Sequence, residues 1–575
     1  MRKSPLLIAA SALVVGAATI TAPLAAGAAP SSTSVAASTT GQDYVVLYAS
    51  TSSAAAARTA IAQAGGTIQS SNDKVGFAVV RGSAAVANAI SGSSAVAGVA
   101  RNRVIGVAPA AAVGKNKAVE KLTSERAAAK ATAKGKAKAV SQAAVVAAEP
   151  LADSQWDMRQ IGATPTGSYA MQPGNQGVLV GVIDTGIDGT HPDIAPNFDA
   201  ADSQNFVTDM PDIDGPCEVP SCVDPANVDD DGHGTHVAST IASPINGIGI
   251  AGVAPNVRLV NLRAGQDSGF FFLAPTLNAI TAAGDLGVDV INMSFFTDPW
   301  LFNCTKNPAD SAAEQAEQRV IRTATQRAIN YARAHGVLPI SAAGNEHTDL
   351  GHPTVDDTSP DFPLDTARHR DVDNSCLSVP TETRGVMSVS STGFSTRLAY
   401  YSNYGTEQTD VAAPGGDAYD TPTNTLDPAA LILAAYPKTV GIANGDIDAD
   451  GNVDDSGFVL KDCSGGGECS YYQRIQGTSM ASPHAVGVAA LIVSQYGKAD
   501  RKHGGLTLDP STTQRILEKS AVEHACPSPR DFFWHRVRPD GTTADATAHC
   551  SGPLADNGFY GKGIVNAYNA VTGRS

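Results

Sequence analysis

The chain has 575 residues, of which 43% are apolar, so it is too long for one ordinary domain and rich enough for a large core. Charge is unevenly spread: residues 1–150 hold 15 Lys and Arg against 5 Asp and Glu, a net of +10, and the total of −16 leaves −26 on residues 151–575. Opposite charges favour association of the two parts, and an acidic body excludes nucleic acid as the main partner.

Met1-Arg2-Lys3 is a basic start, Leu6 to Ile20 a small apolar core, and Ala26-Gly27-Ala28 a small-residue cleavage site. This is the pattern of an export signal over 1–28, and it predicts a secreted protein. No other segment reads as a membrane span, so no membrane association is expected after signal removal.

Residues 42–108 read as a small α+β unit. Tyr44–Tyr48 and Phe77–Val80 look like strands, Ala54–Ala64 and Ala84–Ile90 like helices, and Val99–Val107 like a last strand. A β-α-β-β-α-β order results, with the third strand faint. Residues 109–150 are rich in alanine and lysine, with basic residues at 115, 117, 121, 126, 130, 134, 136 and 138. They read as a fraying helix or a flexible linker open to proteolysis. The body beyond them begins between Ala143 and Gln155.

Within 151–575 the strand candidates are Val178–Ile183, Val257–Leu262, Val288–Asn292 and Val337–Ser341. Helical stretches lie between them, which predicts an α/β fold around a mainly parallel sheet. Pro339 fits badly in a central strand, where a missing N–H breaks the ladder.

Three blocks carry chemistry. The first strand ends at Asp184-Thr185-Gly186, and strand carboxyl ends gather functional groups in such sheets. Next comes Gly232-His233-Gly234-Thr235-His236-Val237-Ala238, followed by a helix-like run. Last is Gly477-Thr478-Ser479-Met480-Ala481-Ser482-Pro483-His484, where a helix start sets a serine at its positive end. Pro483 is tolerable because the first turn does not use its missing N–H. A serine, a base and an orienting carboxylate make a nucleophile. His236 and His484 compete with His233 for the base and are expected to pack or cap instead.

These blocks, in the order Asp184, His233, Ser479, resemble the signatures of the subtilisin-like serine proteases. Gly252-Val253-Ala254-Pro255, Asn292-Met293-Ser294, Ala342-Ala343-Gly344-Asn345-Glu346 and Tyr560-Gly561-Lys562-Gly563-Ile564-Val565-Asn566-Ala567 resemble further family blocks in the family's order. The likeness runs from about Gln155 to the end. It implies a three-layer subtilisin-like catalytic domain over 151–575, preceded by a ferredoxin-like inhibitory pro-domain over 42–108. It also implies a monomeric serine endopeptidase acting on protein or peptide substrates without an organic cofactor. Asn345 matches the family's oxyanion donor, beside the Ser479 N–H. Substrate would lie along Ser294, Phe295 and Phe296 and against Ala343 and Gly344. The family's usual leucine and glycine are replaced here by Phe295 and Phe296, and insertions fall at roughly 297–325, 348–380 and 416–472. These point to a restricted processing protease as an alternative to a broad one. A non-catalytic extracellular binding protein on the same scaffold is the alternative from another class.

Eight cysteines, all after residue 150, fit an exported chain with disulfides. Cys217 with Cys222 and Cys463 with Cys469 are short-loop candidates. Cys304 with Cys376 and Cys526 with Cys550 complete one of 105 possible connectivities.

Asp446, Asp448, Asp450, Asn452 and Asp454, with Gly451 at the turn, have the alternating oxygens of a calcium loop. Its bidentate acid is missing, since Gly457 stands in that place. The family resemblance suggests a second structural calcium site at Asp193 and Asn246, completed by backbone carbonyls.

Overall fold

A computed structural model describes residues 41–102, 119–132, 149–363 and 365–574. The expected export signal and most of the 109–150 segment lie outside the described residues.

The first unit runs β1 (Gln42–Tyr48), α1 (Ala54–Gln63), β2 (Thr67–Asn72), β3 (Phe77–Gly82), α2 (Ala84–Ser91) and β4 (Val96–Arg101). Its antiparallel sheet has the order β2-β3-β1-β4. The third strand was expected to be faint, but the one with little sequence signal is the second, β2, because Thr67-Ile68-Gln69-Ser70-Ser71-Asn72 is polar and mostly exposed. Along β1 the side chains alternate. Val46 and Tyr48 pack with α1 and α2, while Val45 and Leu47 face the other way.

Helix α3 (Thr123–Thr132) belongs to the basic segment and follows a helical turn at 119–121. The body is built on β5 (Leu179–Ile183), β6 (Gln204–Asn205), β7 (Arg258–Arg263), β8 (Val290–Met293), β9 (Leu338–Ala342), β10 (Met387–Thr392) and β11 (Val411–Pro414). The sheet order is β11-β10-β9-β8-β5-β7-β6, and every neighbouring pair is parallel. The helices that cover it are α4 (His233–Ala242), α5 (Leu273–Leu286), α6 (Ala312–Ala334) and α7 (Thr478–Tyr496).

Strand alternation sorts the core into two layers. Val180, Val182, Leu259, Val290 and Ile340 pack with α4 and α7. Leu179, Ile183, Val260, Leu262 and Ile291 pack with α5 and α6. Both sheet faces are therefore covered, which is why the strands read as continuous apolar runs. Helix α7 is buried from Thr478 to Ser494 and is correspondingly apolar on nearly every side.

The second layer continues into the first unit through Val45, Leu47, Phe77, Val79 and Ala100. Asn72 donates to Asn278 and Thr281 at 3.1 Å each, and Arg327 donates to the carbonyls of Tyr48 and Ala49 at 2.9 and 3.0 Å. The small unit thus sits on α5 and α6.

Pro339 does lie in the central strand β9. The Leu338 N–H bonds toward β8, so the missing N–H of Pro339 faces β10, whose pairing with β9 starts only at Ile340. No ladder bond is lost.

The four disulfides pair Cys217–Cys222, Cys304–Cys376, Cys463–Cys469 and Cys526–Cys550. Cys304–Cys376 ties the 297–325 insertion to the 348–380 insertion. The same two loops are locked by Arg370, fully buried, with Asp310 at 2.9 Å and Asp356 at 2.8 Å.

Candidate active site

Asp184 follows β5 directly, and His233 opens α4 behind Gly232. Their side chains meet, with Asp184 Oδ1 2.7 Å from His233 Nδ1. The approach depends on Gly234, where a Cβ would stand 2.1 Å from the Gly186 carbonyl oxygen and 3.0 Å from the Asp184 Cβ. Asp184 Oδ1 also accepts from the Thr185 N–H at 2.8 Å.

Ser479 is the second residue of α7, so its N–H is among the first-turn donors with no partner inside the helix. Asn345 follows β9. Its Oδ1 accepts from both the N–H and the hydroxyl of Thr478 at 2.9 Å. That contact turns the Asn345 Nδ2 donor toward Ser479. Ser294 after β8 donates to the Ser479 carbonyl at 3.1 Å and accepts from Asn292 at 2.9 Å.

The centre of the site is filled by a residue that sequence reasoning missed. Glu120, from the basic segment, is 4% exposed. Its Oε1 accepts from the Ser479 hydroxyl at 2.6 Å and from Asn345 Nδ2 at 3.0 Å, and its Oε2 lies 3.5 Å from His233 Nε2. Glu120 is the first acidic residue after Asp73. Nothing in its surroundings marked it, since Glu125 and Glu149 are further acids in the same alanine- and lysine-rich run.

The segment is anchored on both sides of Glu120. Gln476 donates through its side chain to the Val119 carbonyl at 3.1 Å and through its N–H to the Glu120 carbonyl at 3.2 Å. Lys121 reaches Asp231 at 3.3 Å, and Arg126 reaches Asp446 at 2.8 Å while lying 5.0 Å over the Phe458 ring. Leu122 is buried among aromatic side chains including Tyr400 and Phe458.

Burial alone would push the His233 imidazole down. The Asp184 and Glu120 carboxylates outweigh it and raise the pKa to about 9. Burial pushes the Glu120 carboxyl up, against the pull of His233 and of the Ser479 hydrogen bond.

The competing histidines are engaged elsewhere. His236 Nε2 faces the carbonyls of Ile432 and Gln473 at 3.2 and 3.1 Å, and burial lowers its pKa to about 3. His484 sits between the Met480 carbonyl at 2.7 Å and Asp157 at 3.0 Å. Only His233 of the three touches Asp184.

A cavity of about 590 Å³ opens beside Ser479 and Asn345. Ser294, Phe295 and Phe296 form one side and Gly344 another. Ala343 stands behind Gly344, with its carbonyl held by Asn403 at 3.1 Å. Phe295 stacks on Phe271 with ring centres 4.1 Å apart, and Phe296 packs against the cluster of Leu301 and Phe302. Part of the wall, from Asp298 to Leu301 and from Asp357 to Ala367, comes from the two disulfide-linked insertions.

The metal candidates differ from one another. Asp193 is fully buried. Its Oδ2 accepts from the Ile250 N–H at 3.1 Å and the Tyr472 hydroxyl at 3.0 Å, while its Oδ1 has no hydrogen-bond partner. Glu149, also buried, presents an Oε2 without a partner, and its charge acts on Asp193. Burial, with Glu149 adding to it, raises the Asp193 pKa to about 8. Asn246 follows in the adjoining loop, where its Oδ1 holds the Ile248 N–H at 2.9 Å. Two neighbouring buried carboxyls, each with an unpartnered oxygen, fit a hard cation such as calcium. Glu149 is the part of this set that the sequence did not reveal.

In the 446–454 loop the carboxylates serve other groups. Asp446 pairs with Arg126 and accepts from the Tyr436 hydroxyl at 3.1 Å. Asp448 accepts from the N–H groups of Asp450 and Asn452 at 3.0 and 2.7 Å and from the Asn452 side chain at 3.2 Å. Asp454 accepts from the Ser456 N–H at 3.0 Å. Among the described residues, the only close group of three or more acidic ligand atoms is Asp209, Glu218, Asp224 and Asp267. That group surrounds Arg263, which pairs with three of the four.

Comparison with known proteins gives a consistent result. Residues 175–563 match the model of the subtilase family. Subtilisin DY of Bacillus licheniformis is 26% identical over 394 residues, covering 68% of this chain and 90% of that protein. A thermophilic serine proteinase of Bacillus sp. (strain AK1) is 30% identical over 329 residues, covering 57% of this chain and 55% of the other. Among solved structures, the epidermin leader peptide processing serine protease of Staphylococcus aureus has a TM-score of 0.59 at 20% identity, over 93% of this chain and 98% of that one. Fervidolysin of Fervidobacterium pennivorans has a TM-score of 0.52 at 19% identity, over 93% of this chain and 61% of that one. At such identities the two structures bear on the fold alone.

Proposed function

The chain belongs to the subtilase family of serine endopeptidases, and from that premise we propose that it is a secreted peptidase made as a self-blocked precursor, with Asp184, His233 and Ser479 as its triad. The observation that carries this reading is the convergence on one oxygen. Glu120 Oε1 accepts from Asn345 Nδ2, as the oxyanion of a tetrahedral intermediate would, and from the Ser479 hydroxyl, the oxygen that would form the bond to the substrate carbon.

With Glu120 withdrawn, Ser479 Oγ attacks the peptide carbonyl. His233 takes the proton and later gives it to the leaving amine. Asp184 holds the Nδ1–H tautomer and stabilises the imidazolium. Asn345 Nδ2 and the Ser479 N–H receive the oxyanion charge.

The unit over 42–108 acts as the pro-domain and the segment through Glu120 as its inhibitory arm. Support comes from the ion pairs of Lys121 and Arg126 and from the +10 and −26 charges of the two parts. Maturation cuts in the 109–150 segment. Calcium held by Asp193, Glu149 and Asn246 would supply a positive charge to the two buried carboxyls and tie the 246–250 loop to the body. Export follows from the signal over 1–28, and no helix among the described residues is long and apolar enough to cross a membrane.

The deciding experiment is labelling of matured protein by a serine-directed fluorophosphonate, with Ser479→Ala as control. Ser479 is expected to react, and Ser479→Ala to lose on the order of 10⁶ in kcat, the size known for removing the nucleophile in subtilisin itself. Peptidase activity surviving in clean Ser479→Ala protein rejects the assignment.

The alternative of narrow specificity is favoured by the cavity wall built from insertions, which limits what reaches Ser479.

A further inference from the structure

The cavity beside Ser479 is acidic. Asp298 and Asp361 lie in its wall, with Asp357 and Asp365 nearer solvent, and no described lysine or arginine lines it. We propose that this cleft takes a cationic side chain, so that the enzyme cuts on the carboxyl side of lysine or arginine. The inference rests on the peptidase reading above and adds its substrate class.

Asp298 is 5% exposed, and its carboxyl hydrogen-bonds to that of Asp361. One Asp298 oxygen also accepts from the Phe271 N–H. Two carboxyls side by side away from water repel one another when ionised and are stable only with a proton or a cation between them. An ammonium or guanidinium replaces that proton and restores the charge balance. Burial, together with the neighbouring Asp361, raises the Asp298 carboxyl well above its ordinary range, so the pair keeps a proton unless a cation takes its place.

The walls fit the rest of such a side chain. Phe295 and Phe296 offer apolar and π surface, against which the stem of a lysine or arginine packs while its head reaches the acids. Phenylalanine walls alone would suit an apolar guest equally well. The acids decide, because a cationic head can replace the proton shared by the two carboxyls, whereas an apolar side chain offers them no charge and no hydrogen bond.

A second observation is independent of the cavity wall. Lys121, which does not line the cavity, lies with its Nζ 3.3 Å from Asp231 Oδ2, two residues from His233, so an acid at the cavity's edge already pairs with an ammonium of this chain. The chain also offers eight Lys and Arg between residues 115 and 138, in the stretch where maturation is proposed.

The test uses enzyme matured from the full-length precursor, and peptide substrates that differ only in the residue before the scissile bond. Arginine and lysine are expected to exceed phenylalanine and glutamate in kcat/KM by about tenfold or more, and Asp361→Asn to reduce the arginine-to-phenylalanine ratio by about tenfold. Sequencing of the matured N-terminus should find it directly after a lysine or arginine of the 115–138 run, no later than Ala139 and thus upstream of the 143–155 start expected from the sequence. A preference for phenylalanine or leucine in the unmodified enzyme overturns the inference, whether or not Asp361→Asn folds. Fluorophosphonate labelling in parallel separates the two claims: no labelling defeats the peptidase reading, and labelling without a basic preference defeats only this one.

Discussion

The Ser479 hydroxyl donates to Glu120 Oε1 at 2.6 Å, across 359 residues of sequence. The nucleophile is therefore engaged by a carboxylate whose other oxygen faces His233. Blockade by a side-chain carboxylate differs from blockade by a substrate-like strand, because residues 119–121 are helical and present no extended backbone to the cleft.

Removing that carboxylate should make the precursor leak. In uncleaved precursor, Glu120→Ala is expected to raise the rate of fluorophosphonate labelling at Ser479 by about tenfold or more. Arg126→Ala should act in the same direction, since breaking a buried ion pair costs about 3 kcal/mol. If intact precursor labels as fast as matured enzyme, Glu120 does not block the site.

The block should also depend on pH. A histidine with a folded pKa of about 9 against an ordinary 6.5 binds its proton more tightly folded than unfolded. Its contribution is complete below about pH 6.5 and is lost as pH rises through about 9. Glu120, also raised, works in the same direction. The precursor Tm is expected to fall across this window. In Glu120→Gln, one of the three charges that raise His233 is gone, leaving Asp184 and Asp231, so its NMR titration should move below pH 9. A His233 titration unmoved by that substitution would contradict the coupling.

Asn345→Ala is expected to lower kcat by about 10²–10³ with a smaller effect on KM, the size known for the corresponding asparagine in subtilisin. Asn345→Asp keeps the acceptor for Thr478 and loses the donor, so it separates catalysis from helix anchoring. Steady-state kinetics with a stable Tm for Asn345→Asp would establish the donor role; unchanged kcat would remove it.

Chelation tests the proposed calcium site at Asp193 and Glu149. At calcium a hundredfold above Kd, binding stabilises the fold by about 3 kcal/mol. EDTA is expected to lower Tm in the unmodified protein and to have less effect in Asp193→Asn and Glu149→Gln. The same Tm with and without chelator argues against the site.

What the sequence determined by itself is local chemistry and its order. The apolar run before Asp184, the glycines around His233 and the helix start at Ser479 are short patterns, each set by backbone geometry within a few residues. The parallel sheet was legible for the same reason, since strands buried on both faces leave unbroken apolar runs such as Val178–Ile183. Strand β2 was not, because an exposed edge leaves no apolar alternation.

Tertiary structure alone decided what surrounds those groups. Glu120 reaches Ser479, Glu149 reaches Asp193, Arg126 takes Asp446, and Asp298 meets Asp361 through chain closure over long or looped distances. Glu120, Glu149, Asp298 and Asp361 sit in no pattern that differs from a solvated surface carboxylate. Their roles arise from burial, which turns an ordinary charge into one that needs a partner. The groups proposed to react could be read from the sequence; the Glu120 contact with Ser479 and the acidic wall beside it are products of packing.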